Sequence, residues 1–147
     1  MVAKYIAALT LLPLLAGCVA GATLYPVNDS AIETGVLHGQ YISQGIGSGW
    51  IKIAMPSGEL LQGEYSVASG PSSFGFGRVL AAASAPGARA VASTVSISES
   101  SPGARPGTAA LFGDHGTTMQ CEFYANPLGN GAGACETNKG SLYRMFF

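Results

Sequence analysis

What most limits the fold of this chain is the recurrence of turn signals through residues 35–147, with no helical stripe between them. Gly45-x-Gly47-x-Gly49, Pro56-Ser57-Gly58, Asp114-His115-Gly116 and Asn138-Lys139-Gly140 place turn-forming residues between short runs rich in Val, Ile, Thr and aromatics. No run holds apolar residues at i, i+3, i+4 and i+7 between caps, the pattern by which a helix buries one face. In contrast, Val91, Ser93, Val95 and Ile97 alternate with Ala92, Thr94, Ser96 and Ser98, the period of two expected of a half-buried strand.

The expected fold class is therefore all-β: a single small antiparallel meander, arranged as a sandwich or an open barrel. Strands are expected at 35–44, 49–54, 59–68, 91–98, 108–112, 117–124, 133–137 and 141–147, with loops at 70–78 and 101–107. The Ala-rich run 79–85 fits either a short helix or a strand buried on both faces, and a strand is the preferred reading.

The two ends of this region resemble each other. Gly45-x-Gly47-x-Gly49 is followed by Ile51, Gly58 and, seven residues past Gly58, Tyr65. Gly129-x-Gly131-x-Gly133 is followed by Cys135, Gly140 and, seven past Gly140, Phe147. Aligning Gly49 with Gly133 sets Leu37 against Cys121 and Ile51 against Cys135. An internal hairpin repeat is expected, with Leu37 beside Ile51 in one copy and the two cysteines paired in the other.

These residues carry a resemblance. Gly39-x-Tyr41, Gly47-x-Gly49-x-Ile51, Ser57-Gly58-Glu59 and Gly63-Glu64-Tyr65 resemble the glycine–aromatic hairpins of MORN-type repeats, with a longer turn and fewer copies. The last third, through Gly113-Asp114-x-Gly116, Cys121-Glu122-Phe123, Gly131-x-Gly133-x-Cys135 and Tyr143, is similar to small uncharacterised proteobacterial lipoproteins. That similarity implies a β-fold and an envelope address, and no particular activity.

The N-terminus points the same way. Lys4 precedes an apolar run over 5–16 that ends in Leu15-Ala16-Gly17-Cys18. A cation, a short apolar stretch and small residues form the layout of a secretory signal. The run is shorter than the ~20 residues needed to span a bilayer, and Pro13 interrupts it. Its last four residues resemble the lipobox of bacterial lipoproteins. The resemblance implies cleavage before Cys18, a diacylglycerol on its sulfur, and a partner in the lipid bilayer held through the acyl chains. Val19, where inner-membrane lipoproteins often carry Asp, implies the outer membrane, facing the periplasm. The expected organisation is a signal peptide at 1–17, a lipidated flexible tether at 18–34 and a β-domain at 35–147.

In an oxidising envelope, the two remaining cysteines, Cys121 and Cys135, are expected to form a disulfide. A metal site is the rival, but two thiolates with no third ligand nearby make a poor one. No metal or other cofactor is expected. The 7 Lys and Arg against 8 Asp and Glu leave no basic footprint for a phosphate backbone, which excludes nucleic acid as a partner.

Catalytic candidates are few. His115 sits in a turn motif, where Asp and Gly are wanted for backbone reasons, and His38 falls on the face of its strand opposite Leu37. No serine lies in a Gly-x-Ser-x-Gly elbow, and the glycine runs lack the helix start that cradles phosphate. Aromatics such as Tyr41, Trp50, Tyr65 and Tyr124 suit either a β-core or a recognition surface. Phe74, Phe76 and Arg78 mark the best candidate for an exposed binding loop. The expected function is a non-catalytic envelope lipoprotein that binds or braces an envelope protein or polymer. The alternative is a protective inhibitor or exclusion factor against a lysozyme, toxin, phage or plasmid, with 70–78 or 101–107 as its working loop.

Overall fold

A computed structural model describes residues 19–45, 47–68 and 103–147. Cys18, Phe74, Phe76, Arg78 and the strands expected within 79–98 lie outside the described residues. The fold is all-β: among the described residues eight antiparallel strands in sequence order close into an up-and-down barrel. The strands are β1 (Val19–Pro26), β2 (Leu37–Gly45), β3 (Ser48–Ala54), β4 (Leu60–Val67), β5 (Arg105–Gly113), β6 (Thr118–Ala125), β7 (Gly131–Thr137) and β8 (Leu142–Phe146). One short helix, α1 (Asp29–Thr34), connects β1 to β2.

Closure depends on residues expected to be a tether. β1 pairs with β2 from Val19↔Ile42 to Leu24↔Leu37, and with β8 from Thr23↔Phe146 to Pro26↔Tyr143, so each described strand has a neighbour on both sides. The tether expectation is thus corrected over 19–34. The strand escapes sequence reading because Ala20, Gly21 and Ala22 carry little β-propensity. Small residues serve packing there: Ala20 faces Tyr41 and Ala22 faces Gly39 across the ladder. Helix α1, only six residues long, cannot display a repeating stripe. It is held by its cap, where the Asn28 side chain accepts from Ala31 N at 3.1 Å. A second correction concerns 101–107: Arg105, Pro106 and Gly107 belong to β5, paired with Ala125, Tyr124 and Phe123.

Alternation sorts the side chains. Leu24, Leu37, Ile53, Leu61, Leu111, Met119 and Tyr143 point inward and are at most 1% exposed. Gln40, Lys52, Gln62, Glu64 and Gln120 point outward and are exposed. The interior is apolar, and the exterior mixes these polar residues with exposed Val19, Ile42, Trp50 and Phe112.

The hairpin repeat is present in a shifted register. Cys121 faces Cys135, and the matching pair in the first copy is Gly39 facing Ile53, while Ile51 faces Tyr41 rather than Leu37. The copies align on Gly47 and Gly129, with φ of 83° and 86°, and on Gly58 and Gly140, with φ of 88° and 78°. In this alignment Gly49 corresponds to Gly131, two residues from the match made on the third glycines of the triplets.

The ends of the barrel differ. Helix α1 and the β3–β4, β5–β6 and β7–β8 turns gather at one end. There Glu59, 3% exposed, accepts from Thr117 N at 2.9 Å, Thr117 Oγ1 at 2.7 Å and His115 N at 3.1 Å. Lys139 Nζ donates to the same Thr117 hydroxyl at 2.9 Å. Asn28 also ties α1 to β8, accepting from Leu142 N at 3.0 Å and donating to Gly140 O at 2.8 Å. β1 starts at the opposite end, where β4 finishes and β5 begins.

Candidate functional site

Tyr41, Tyr65, Phe123 and Phe147 come from β2, β4, β6 and the end of β8, so alternate strands each send one ring into the barrel. Each ring meets the next edge-on. Centroids are 6.1 Å apart for Tyr41–Tyr65, 6.4 Å for Tyr65–Phe123, 5.3 Å for Phe123–Phe147 and 5.7 Å for Phe147–Tyr41. Edge-to-face pairs of this kind contribute about 0.5–1.5 kcal/mol each beyond their burial. The result is a closed collar of four rings.

Glycines on the intervening strands make room for it. Gly49 faces Tyr65 and Gly107 faces Phe123. Gly131 exchanges both backbone hydrogen bonds with Phe147, at 2.8 and 3.0 Å. A Cβ at any of the three would run into the facing ring. This explains the glycine–aromatic spacing seen in the sequence: the glycines leave the volume that the rings occupy.

The collar borders a cavity of about 300 Å³ that opens at the end where β1 starts. Ala22, Ile51, Ala109 and Met145 extend its wall inward, and Ser43, Gly47, Val67 and Asn126 form its rim. Arg105 is the only charged residue among the described residues lining it. It is half-buried, fixed at the rim where β5 pairs with β6 through Arg105↔Ala125. Tyr41 donates its hydroxyl hydrogen to Gly129 O at 3.1 Å. Burial, and then the neighbouring Tyr65, push the Tyr41 hydroxyl above its ordinary pKa, so it stays protonated and able to donate. Asn126 shapes the adjoining β6–β7 loop, its side-chain oxygen accepting from Leu128 N at 2.9 Å and Asn130 N at 3.1 Å.

The sequence-derived candidates are scattered. Cys121 and Cys135 form a disulfide with S–S 2.03 Å, beside Met145 and below the collar. His38 is exposed on the outer face of β2. His115 lies in the β5–β6 turn with Nδ1 3.9 Å from Asp114 Oδ1, both exposed. Tyr41 and Tyr65 enter the cavity wall, whereas Trp50 points outward and is 41% exposed. The structure brings none of the histidines to the cavity. Arg105 and the cavity itself were not singled out from sequence, because 105–107 read as loop and a cavity requires a closed barrel.

Comparison with protein-family models, curated proteins and solved structures gives no match to this chain.

Proposed function

We propose that this is a non-catalytic lipoprotein of the cell envelope, anchored through Cys18, which binds another envelope component at the open end of its barrel. The observation that carries the reading is the aromatic-collared apolar cavity, which opens at the end where Val19, the residue after Cys18, begins β1. An eight-stranded barrel is just wide enough for its side chains to fill it or to hold one small ligand. Here the described side chains fill one end and leave space at the other. Ligand sites combine mostly apolar walls with a few placed polar groups, and Arg105 with the Tyr41 and Ser43 hydroxyls fits that composition.

Anchoring and binding are tested separately. Expression of the full chain and its Cys18→Ser variant with labelled palmitate should label the wild type alone and place it in the outer-membrane fraction. Label in neither protein would make this a secreted barrel, with Cys18 incidental. Binding is read by a neutral apolar fluorophore, which should enter the wild-type cavity and be refused by Ser43→Trp, an indole placed on the rim.

A further inference from the structure

We infer that the cavity takes a single-chain carboxylate amphiphile, a free fatty acid, with its acyl chain against the aromatic collar and its carboxylate at Arg105. The inference rests on the open end being a binding site and adds the chemistry of what enters. Three observations carry it.

The first is size. About 300 Å³ lies at the lower end of the roughly 300–1,000 Å³ usual for ligand pockets. That volume suits a single flexible chain better than both chains of a phospholipid. The second is the distribution of polarity. Apolar and aromatic groups make the depth of the cavity, and the single charge in its described wall is a cation at the rim. A guanidinium presents a planar fork of donors that matches a carboxylate in a bidentate arrangement. The Tyr41 and Ser43 hydroxyls donate to Gly129 O and Gly45 O, so Arg105 is the group that meets the anion, and no carboxylate lines the described wall to hold an amine. A head that is a simple anion suits this rim better than a zwitterion.

The third observation gives the source. On the outside of the barrel near the mouth, Val19 faces Ile42 and Ile42 faces Trp50 across adjacent strands. All three are exposed, by 55%, 40% and 41%. This apolar row starts one residue after Cys18. Tryptophan favours the membrane–water interface. A lipid on Cys18 would therefore seat the row at the bilayer and turn the mouth toward the pool of free acyl chains.

The test uses the mature chain from residue 18 carrying Cys18→Ser, with Arg105→Gln, Ser43→Trp and Val67→Phe variants, each checked for an unchanged near-ultraviolet circular dichroism spectrum. cis-Parinaric acid, parinaryl alcohol and neutral N-phenyl-1-naphthylamine are titrated by fluorescence, and bound acid is displaced with oleate or with lysophosphatidylglycerol. The expected result is one acid per chain, with both plug variants refusing all three probes. Arg105→Gln should weaken the acid relative to the alcohol about tenfold, the loss of one charge-assisted hydrogen-bonding partner. Oleate should displace better than the lysophospholipid. Equal affinities of acid and alcohol in both wild type and Arg105→Gln would overturn the carboxylate assignment, as would stronger displacement by the lysophospholipid. Entry of the naphthylamine alone, blocked by the plugs, would overturn the fatty acid and leave the binding cavity standing. Refusal of every probe by the wild type would overturn both.

Discussion

At the closed end of the barrel each turn is tied to its neighbours by side chains, whereas at the open end most of the wall is ring faces and backbone. Glu59, Thr117, Lys139 and Asn28 link three turns and α1 into one network at the closed end. The described hydrogen bonds at the open end are local, as in the Asn126 loop, or single, as from Tyr41 to Gly129. The contrast teaches a division of labour within one sheet. Buried polar groups that are fully hydrogen-bonded fix a unique arrangement. Apolar walls around unfilled space forgo some packing and leave room for a ligand.

The largest expected effect tests whether the region between the two ends matters as much as the closed end. Replacing Cys121 and Cys135 together by Ala should cost roughly 3 kcal/mol, the chain-entropy value for a loop of ~15 residues. Urea unfolding measures it, and a cost near zero would mean that the β6–β7 ladder alone holds this seam. Next is Asn28→Ala, which removes the α1 cap and two ties to the β7–β8 hairpin. A loss of about 1–2 kcal/mol is expected, with apolar probe binding unchanged. Weaker probe binding in that variant would break the separation of the two ends. Tyr41→Phe is the open-end counterpart: it keeps the ring and loses the bond to Gly129 O, for about 1 kcal/mol or less.

The last effect is set by pH: Glu59→Gln costs most near neutral pH, and its cost shrinks in acid. The Thr117 hydroxyl bond, above all, holds the Glu59 carboxyl below its ordinary pKa. Burial opposes it, and the Thr117 and His115 amides and Lys139 add to the lowering. The unfolded chain then takes up a proton before the folded one. The stabilisation is complete above the ordinary glutamate pKa and is lost as pH falls through the lowered folded value. Denaturant midpoints measured from neutral to acid pH should fall more steeply in the wild type than in Glu59→Gln. Parallel profiles would remove Glu59 from the closed-end network.

Much of this was legible in the sequence, for physical reasons that also mark where reading stopped. Turn glycines at 58, 116 and 140, with alternation between them, were enough to give β3, β4, β6, β7 and β8 to within a few residues. The cysteine pair falls at directly facing positions because two strands joined by a short loop bring such residues together. β1 escapes the reading because two of its inward residues, Ala20 and Ala22, are small; Ala20 faces the Tyr41 position across the ladder. Without β1 the sheet has two free edges, so closure, and with it the cavity, could not be read. The repeat was visible but misaligned by two residues. Its register follows Gly47 with Gly129, Gly58 with Gly140 and Tyr65 with Phe147, which share one spacing, whereas matching the third glycines of the two triplets slides the copies by two. Tyr65 and Phe147, placed seven residues past their turn glycines, were correctly seen as equivalent, and both stand in the collar.

The methionines offer the most direct test of the central claim that the open end binds while the closed end only holds. Met145 lines the cavity, Met119 is buried among the core side chains away from it, and Met55 begins the β3–β4 turn at the closed end. Methyl spectra of protein labelled with 13C-methyl methionine would be recorded during titration with cis-parinaric acid. The account predicts a saturable shift of the Met145 methyl, with Met119 and Met55 unmoved. A shift of Met55 or Met119 without Met145, or no shift of any of them at saturating ligand, would contradict it.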